Sequence, residues 1–380
     1  MGCEGRKLKL IVLKSMLEFG AEVDKHLGTY YGNENGTFIM PIKETWFNDG
    51  HGKVELLDSV RGQDVYIMQD VGNYSITYDM HGIINHTSPN DLAQQLRDTI
   101  GACKCHTNSL SIITPLLFAG RQHRRIGREA LSCASFLREL DADPNVKRVL
   151  TFDAHDEGVQ QAMAYTEFGN FFATNEILEQ FINDADINEL KRVIFVAPDF
   201  GAAGRMNFYL NSFNSEYITK DAGSFYKRRD YNVIEDGKNP IIEHSYSGSN
   251  DIEGVTAIVV DDMIASGGSM FDTIDELNKR GVAHIYIMST YALFTKGIDK
   301  FKEYYEAEKF DGIYTTNLSY IPEEYKKEEW LNVVDCSTIM SKIIRNLHNG
   351  QSISELSRDR SYPAKVLAKK FEEAKQNKDK

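Results

Sequence analysis

Two adjacent carboxylates precede a Gly-Gly pair in the run Val260-Asp261-Asp262-Met263-Ile264-Ala265-Ser266-Gly267-Gly268-Ser269. The run follows an apolar stretch and leads into a helical pattern. Glycines allow backbone N–H groups to close on a phosphate at a helix N-terminus, serine hydroxyls add donors, and paired carboxylates accept hydrogen bonds from sugar hydroxyls. The run therefore predicts a cradle for ribose 5-phosphate. An ordinary Gly-rich strand-turn-helix is the alternative, but a double acid with Gly-Gly at this spacing is more specific than a lone GxGxxG.

A cluster of basic residues is the second motif. Four arginines fall within eight residues in Gly120-Arg121-Gln122-His123-Arg124-Arg125 and Arg128, although the chain as a whole is acidic. Guanidinium groups offer a planar fork to phosphate oxygens, so the cluster is suited to a compact polyphosphate. A solvated helix face would explain the same residues equally well.

Polar residues also follow two predicted strands, as Asp153-Ala154-His155-Asp156 and as Ala197-Pro198-Asp199. Parallel α/β sheets bind ligands at the carboxyl ends of their strands. Mg²⁺ on a nucleotide keeps most of its waters and takes one or two protein ligands, so His155 and Asp199 would suffice. Taken alone, His155 is more simply a satisfied loop histidine.

A third basic group, Lys227-Arg228-Arg229, precedes a segment rich in Gly, Ser and Asn at 236–250. The segment predicts a mobile loop whose cations close over a transferring phosphoryl group.

The overall composition limits the possible partners. The 380 residues carry 43 basic and 56 acidic side chains, a net charge of −13. This balance argues against a nucleic-acid partner or an anionic membrane surface, so an anionic ligand must be bound locally. Every apolar run falls short of the ~20 residues of a membrane span, and residues 1–9 lack a secretory pattern. We expect a soluble, cytoplasmic protein.

Five scattered cysteines are poor material for a disulfide framework. Cys103, Cys105 and His106 could bind a metal, but no second Cys/His pair completes the site. They read more simply as a helix end with reduced thiols.

Short apolar runs alternate with loops and helical patterns, which is typical of an α/β protein with a mostly parallel sheet. The predicted strands are Val65–Val71, Ser111–Leu117, Arg148–Phe152, Arg192–Ala197, Thr256–Val260 and His284–Ser289. Predicted helices include Asp91–Cys103 and Met270–Arg280, the latter ending at Gly281. We expect an N-terminal domain at 1–170, a second domain at 171–335, and a C-terminal helix with a charged tail at 336–380.

Taken in order, these motifs resemble the ribose-phosphate diphosphokinase (phosphoribosyl pyrophosphate synthetase) family, and the resemblance extends from about Phe47 to Asn349. Phe47-Asn48-Asp49-Gly50 resembles the family's adenine-contacting loop and Arg121-Gln122 its ATP-binding arginine loop. Asp153-Ala154-His155 and Ala197-Pro198-Asp199 resemble its metal-binding segments, Lys227-Arg228-Arg229 its catalytic flexible loop, and Val260–Ser269 its ribose-phosphate site.

The resemblance implies two phosphoribosyltransferase-like (type I) domains, each a mostly parallel sheet flanked by helices. Mg-ATP would bind between them and partly to a neighbouring subunit, so a homo-oligomer is expected. The implied reaction transfers the β,γ-diphosphoryl group of ATP to the 1-hydroxyl of ribose 5-phosphate and releases AMP. The implied site residues are Lys227 and Arg229 for catalysis; Phe47, Asp49, Arg121 and Gln122 for ATP; Asp261, Asp262, Ser266, Gly267, Gly268 and Ser269 for ribose phosphate; and His155 and Asp199 for Mg²⁺.

Some positions depart from the family pattern. Ala265 stands where the family usually has Asp, and His51 and His123 each replace an acid. The loss of a carboxylate beside the sugar leaves open a larger acceptor that contains ribose 5-phosphate, such as ADP-ribose. A non-catalytic regulatory member of the family is a further alternative, although the retained Lys227 speaks against it. A phosphoribosyltransferase that consumes the diphosphate would not account for the first half of the chain.

Overall fold

The computed structural model describes residues 7–33, 35–104, 106–125, 127–229, 241–249 and 251–378, with the backbone alone at 227–229, 241–244, 357–358 and 377–378. The chain divides into two compact units. Unit 1 comprises Met1–Phe172, Asn317–Pro322 and Asp335–Arg358, and unit 2 comprises Ala173–Thr316, Glu323–Val334 and Asp359–Lys380. Among helices in the described ranges, none has the length and apolarity needed to cross a bilayer. The cytoplasmic location stays a prediction.

The elements of unit 1 alternate in the manner predicted from the apolar runs. Its strands are β1 Leu8–Val12, β2 Ile42–Trp46, β3 Gly52–Leu56, β4 Asp64–Met68, β5 Thr77–Met80, β6 Ile83–His86, β7 Ser109–Ile113, β8 Val146–Phe152 and β9 Glu167–Phe171. Its first helices are α1 Leu17–Tyr31, α2 Pro89–Cys103 and α3 Ser132–Asp141. The main sheet has the order β1-β4-β7-β8-β9 and is parallel throughout, and β2-β3 and β5-β6 form separate antiparallel hairpins.

Local sequence explains the start of α2. The Ser88 side chain accepts from the Asp91 N–H while the Asp91 carboxylate accepts from the Ser88 N–H, and Pro89 occupies the first turn. This capping box satisfies donors that a helix start leaves unpaired. Ala93, Leu96 and other apolar residues then pack α2 into a core with the strands β1, β4, β7 and β8.

The elements of unit 2 surround a larger sheet. They are α4 Thr174–Asp184, β10 Arg192–Ala197, α5 Ala203–Ser212, β11 Thr219–Arg229, β12 Ile241–Gly248, β13 Thr256–Ile264, α6 Gly268–Lys279, β14 His284–Ala292, α7 Asp299–Glu306, β15 Gly312–Thr316 and β16 Leu331–Val334. The order is β12-β11-β10-β13-β14-β15-β16, and only the β11-β12 pair of this described sheet is antiparallel.

The C-terminal helices are shared between the units: α8 Ser337–His348 and α9 Ser354–Arg358 lie in unit 1, and α10 Ser361–Lys378 lies in unit 2. This differs from the single C-terminal region expected at 336–380. The apolar face of α8 packs on α1, whereas α10 packs on α4 with Leu367 and Phe371 buried. The two stretches separate because each carries an apolar face that only its own unit covers.

Candidate active site

The sheet of unit 2 changes direction between β10 and β13. From β10 the chain continues to β11 and β12 on one side, then returns to place β13 against the other side of β10. Ligands of open α/β sheets bind at such a switch point, beyond the carboxyl ends of the strands. Asp199 follows β10, and Asp261 and Asp262 lie in the last half of β13. The topology therefore brings two separate acidic motifs to one edge.

The two aspartates of β13 form a buried acidic pair. The Asp262 N–H donates to Asp261 Oδ1 at 2.9 Å, and the Asp262 residue is only 2 % exposed. Burial raises the pKa of Asp261 well above its usual range, and the Asp262 and Asp199 carboxylates act in the same direction. Arg205 opposes this rise, with Nη1 4.0 Å from Asp261 Oδ1. The pair thus presents closely spaced oxygens that suit the hydroxyls of a sugar.

Gly267 is the position that shapes the turn into α6. Its φ is +78°, in the left-handed region that favours glycine. A Cβ there would lie 2.6 Å from the Phe301 ring and 2.8 Å from the Phe271 ring. The helix begins at Gly268, so its first N–H groups, which have no acceptor within the helix, lie beside the half-buried Ser266 and Ser269. Free N–H donors at the start of a helix are suited to binding an anion.

The loop after β14 donates backbone hydrogen bonds to Ile264 and Ala265, at the beginning of the predicted ribose-phosphate cradle. The Thr295 N–H donates to the Ala265 carbonyl at 2.9 Å, and the Leu293 N–H donates to the Ile264 carbonyl at 2.9 Å. Ala265 itself is half-buried. A backbone contact thus fixes the cradle at the position where the sequence departs from the family.

Asp199 caps the short turn that follows β10. Its side chain accepts from the Ala202 N–H at 3.2 Å, and the residue is exposed. Its negative charge contributes to raising the pKa of Asp261, which places it near the acidic pair. The carboxylate is therefore at the edge where ligands bind.

Lys227 and Arg229 end β11 and pair with β12, with Lys227 opposite His244 and a register shift between Arg228 and Arg229. The predicted loop at 236–250 is therefore wrong over 241–248, which form β12, while 230–240 and 250 lie outside the described residues. The side chains of Lys227 and Arg229 also lie outside them.

The packing of Tyr246 over Gly223 is a physical reason why 241–248 form the strand β12 rather than a loop. A Cβ on Gly223 would lie 2.6 Å from the Tyr246 ring, and the Phe225 and Tyr246 ring centroids are 5.2 Å apart. An aromatic side chain that covers a glycine on the next strand stabilises the pairing of the two strands. In the sequence, Gly223 indicates a loop. The pairing of β11 with β12 shows instead that Gly223 makes room for the Tyr246 ring.

The arginine cluster of unit 1 forms a turn after β7. Ala119 has a φ of +54°, the Gly120 N–H donates to the Leu117 carbonyl at 3.1 Å, and the Gln122 N–H donates to the Ala119 carbonyl at 2.7 Å. Arg121 and Gln122 are both exposed on this turn. Their side chains are accessible to a polyphosphate.

The His155 segment is held by the end of β9. Asp153 has a φ of +44° and donates its N–H to the Phe171 carbonyl at 2.8 Å, and the Ala154 N–H donates to Asn170 Oδ1 at 3.0 Å. His155 is exposed. The backbone around it is thus constrained while its ring is accessible.

His123 links the arginine turn to this segment. Its Nε2 lies 3.4 Å from Asp156 Oδ2, its Nδ1 lies 3.2 Å from the Gly120 carbonyl, and Arg124 Nη2 lies 3.3 Å from the same Asp156 oxygen. The Gly158 N–H, followed by the charges of His123 and Arg124, holds the pKa of Asp156 below its usual range. The structure therefore joins two motifs of unit 1 that are far apart in the chain.

Phe47 and Asp49 lie in the turn of the β2-β3 hairpin. The Phe47 N–H donates to the His51 carbonyl at 2.8 Å, and Asp49 Oδ1 accepts from the His51 N–H at 3.1 Å. That hydrogen bond and the His51 side chain lower the pKa of Asp49. Phe47 is 49 % exposed, so a large aromatic ring is presented to solvent.

Among the described residues, no three His, Cys, Asp or Glu side chains converge as a preformed metal site. A divalent cation bound through nucleotide phosphates needs fewer protein ligands, and carboxylate oxygen is the donor that Mg²⁺ prefers. The exposed carboxylate of Asp199 in unit 2 fits this role by its chemistry, and the accessible ring of His155 in unit 1 fits it independently.

Sequence reasoning missed Arg205. It lies in the first turn of α5 and packs beside Asp261, with a side chain only 10 % exposed. The signal was present in the sequence: a basic residue in the helix that directly follows an acidic strand end. It also missed the role of Asp156, whose partners only the folded turn brings near.

The fold and its switch-point site define a two-unit α/β protein of the phosphoribosyltransferase-like type, as predicted. Residues 8–142 match the family described as "N-terminal domain of ribose phosphate pyrophosphokinase", and residues 238–358 match "Phosphoribosyl synthetase-associated domain". The chain belongs to the phosphoribosyl pyrophosphate synthetase family, as a divergent member.

Individual relatives agree over nearly the whole chain. The ribose-phosphate pyrophosphokinase of Nostoc sp. is 24 % identical over 357 residues, covering 93 % of this chain and 95 % of that protein. The enzyme of the same name from Synechococcus elongatus is 24 % identical over 358 residues, with the same shares covered. The crystal structure of phosphoribosylpyrophosphate synthetase from Mycobacterium smegmatis has a TM-score of 0.71 at 20 % identity, covering 91 % of this chain and 100 % of that one. This last likeness confirms the predicted fold.

Proposed function

We propose that the protein is a ribose-phosphate diphosphokinase, which transfers the β,γ-diphosphoryl group of ATP to the 1-hydroxyl of ribose 5-phosphate and yields phosphoribosyl diphosphate and AMP. The observation that carries this proposal is the pairing of Asp261 and Asp262 with the Gly267 helix start at the switch point of unit 2. Such a pairing offers carboxylates to the sugar and N–H donors to its phosphate.

In this proposal the acceptor is held at both ends. The 5-phosphate lies on the N–H groups of the first turn of α6, with Ser266 and Ser269 as further donors. The ribose hydroxyls donate to Asp261 and Asp262, and Arg205 of α5 lies beside Asp261. Two fixed ends orient the 1-hydroxyl, and orientation supplies much of the rate of such a transfer.

ATP is assigned to residues of unit 1, and charge compensation in the transfer is assigned to Lys227 and Arg229. The exposed Phe47 and Asp49 turn would receive the adenine, and Arg121 and Gln122 the phosphates. The 1-hydroxyl oxygen forms a bond to the β-phosphorus while the bond from that phosphorus to the AMP oxygen breaks. Negative charge builds on the transferring oxygens, and Lys227 and Arg229 would offset it. The reaction needs no covalent intermediate.

Mg²⁺ is the cofactor of this proposal, with His155 and Asp199 as its protein ligands. When bound with ATP, it supplies charge neutralisation on the phosphate oxygens. The partners are ATP, ribose 5-phosphate and further copies of the chain in a homo-oligomer.

Release of AMP tests the proposal. The purified protein is incubated with Mg-ATP and, in separate reactions, with ribose 5-phosphate, ADP-ribose or no acceptor, and AMP and the phosphorylated sugar are quantified. We expect AMP and phosphoribosyl diphosphate in equal amounts with ribose 5-phosphate. AMP release with ADP-ribose alone would assign the larger acceptor, which Ala265 leaves room for. Absence of AMP with every acceptor would indicate a non-catalytic regulatory member.

A further inference from the structure

The β5-β6 hairpin of unit 1 has no place in the reaction proposed above. Its strands pair antiparallel up to Met80 opposite Ile83, and the two residues between them, His81 and Gly82, have φ values of +53° and +78°. Two successive positive φ values are those of a type I′ turn, which matches the twist of a short hairpin. The hairpin is thus a well-defined element rather than an irregular loop.

Three contacts join this hairpin to the turn that carries Phe47. The Tyr78 and Trp46 rings stack with centroids 4.5 Å apart and planes inclined by 15°. The His81 N–H donates to the Asn48 carbonyl at 3.0 Å. Met80 Sδ lies 2.7 Å from where a Cβ on Gly50 would be, so the glycine permits this close approach. Together they restrain the turn at its start, middle and end.

The base of the hairpin is anchored in turn to the body of unit 1. The Thr87 hydroxyl donates to the Asn73 carbonyl at 3.0 Å, and the Asn73 amide donates to the Ser15 carbonyl at 2.9 Å. Thr87 and Asn73 are both buried. The base of the β5-β6 hairpin is therefore fixed to the body of unit 1. Without such a brace, a hairpin turn of five residues that presents an exposed ring would sample many orientations.

We propose that the β5-β6 hairpin is a positioning element for the turn that binds the adenine of ATP, and that Tyr78 acts through its stack on Trp46. This inference rests on the proposed function, in which Phe47 and Asp49 contact ATP. The faces of β5 alternate accordingly: Tyr78 and Met80 are half-buried toward the turn, whereas Thr77 and Asp79 are exposed. Tyr78 is a positioning residue and touches no substrate.

The test compares Tyr78→Ala with Tyr78→Phe and with Ile84→Ser. Phenylalanine keeps the stacked ring, and Ile84, which pairs with the exposed Asp79 on the other face of the same hairpin, is 66 % exposed. AMP release is measured with ATP and ribose 5-phosphate varied separately, and Mg-ATP binding is measured by calorimetry. We expect Tyr78→Ala to raise the KM and the Kd for ATP about fivefold, the scale of one lost aromatic pair, with kcat and the KM for ribose 5-phosphate unchanged. Tyr78→Phe and Ile84→Ser should match the wild type.

Two results would overturn the inference: an unchanged Kd for Mg-ATP in Tyr78→Ala, or equal changes in the constants for both substrates. Should Tyr78→Ala fail to fold, Met80→Ala removes the third contact, that of Met80 with Gly50, and carries the same expectation. Failure of the proposed function is a separate result, because it appears as an absence of AMP in the wild type, while the calorimetric comparison still decides the role of Tyr78.

Discussion

The ring of His123 lies with its centroid 5.1 Å from that of His155, and the two planes are inclined by 59°. His123 comes from the arginine turn after β7, and His155 from the segment after β8. Because His123 also pairs with Asp156, the two segments form one surface of unit 1. Residues proposed to bind phosphate and metal are thereby connected through His123.

We expect His123→Ala to raise the KM for Mg-ATP on the order of tenfold, because the loss of one ring contact and one ion pair costs about 1.4 kcal/mol. The KM for ribose 5-phosphate should not change, since the acceptor residues lie in unit 2. Steady-state AMP release measures both constants. The matched control is His284→Ala, which removes a histidine 2.9 Å from Asp311 outside the proposed site. Equal effects of the two variants would contradict the assignment.

Substitutions in the acceptor site and at the catalytic cations should change different kinetic constants. Asp262→Ala removes oxygens proposed to bind the ribose hydroxyls, so it should chiefly raise the KM for the acceptor. Lys227→Ala should lower kcat on the order of 100-fold, because charge compensation is needed most in the transition state. The measurement is AMP release over a matrix of both substrate concentrations. The same pattern of kcat and KM changes in both variants would refute this division of roles.

Gly267→Ala should disrupt the phosphate cradle. The added Cβ meets Phe301 and Phe271 at under 3 Å, at a φ that alanine adopts only under strain. We expect a loss of about 2 kcal/mol in the free energy of unfolding. Gly268→Ala is the matched control for stability, because the nearest atom to its Cβ is Ser266 Oγ at 3.9 Å. Denaturant unfolding of both variants measures the difference, and equal losses would show that backbone strain at Gly267 is unimportant.

Much of this site could be predicted because it depends on local sequence. The Asp261–Ser269 run specifies its own strand, turn and helix start, and α2 has a capping box that is visible in the sequence. What could not be predicted depends on contacts between distant segments. Arg205 lies near Asp261 because β10 and β13 are neighbours, and Tyr246 of β12 covers Gly223 of β11 across the paired strands. Strand order and cross-strand packing are non-local, and periodicity does not encode them.

Asp70 should make stability depend on pH. Its buried carboxyl accepts from the Gly72 N–H at 2.7 Å, from the Tyr320 N–H at 2.8 Å and from the Ser319 hydroxyl at 3.0 Å, which ties 317–322 to β4. Burial outweighs these bonds and raises the pKa of Asp70 from 3.8 to about 6. The folded state therefore holds its proton more tightly than the unfolded chain does. Its stabilising contribution is complete below pH 3.8 and is lost as the pH rises through about 6.

Asp70→Asn tests this dependence, because asparagine cannot ionise. The free energy of unfolding of the variant minus that of the wild type should increase by about 3 kcal/mol between pH 3 and pH 7. Chemical denaturation at several pH values gives the difference, and other titrating groups cancel in it. A difference that is constant with pH would contradict the raised pKa of Asp70.

The buried pair of Asp64 and His348 should hold α8 on the sheet of unit 1. Asp64 lies 3.2 Å from His348 Nδ1 through Oδ2 and accepts from Asn108 and Ser109 through Oδ1. Burial alone would raise the pKa of Asp64, but the bonds from His348, Ser109 and Asn108 outweigh burial and hold it well below the usual range. This contribution is present above the ordinary pKa of 3.8 and is lost as the pH falls toward the folded value.

Asp64→Asn should therefore lower the free energy of unfolding at pH 7 by about 3 kcal/mol, the cost of leaving a buried partner unpaired. Asp58→Asn is the matched control, since its carboxylate is 54 % exposed and lies 3.8 Å from Lys9. Exposed pairs contribute about 0.5 kcal/mol or less, so the control should unfold nearly as the wild type does. The loss in Asp64→Asn should also shrink as the pH is lowered from 7 to 3, because the wild type then loses the same interaction. If the two variants behaved alike, the pair would not anchor α8, and the return of 335–358 to unit 1 would rest on its apolar face against α1 alone.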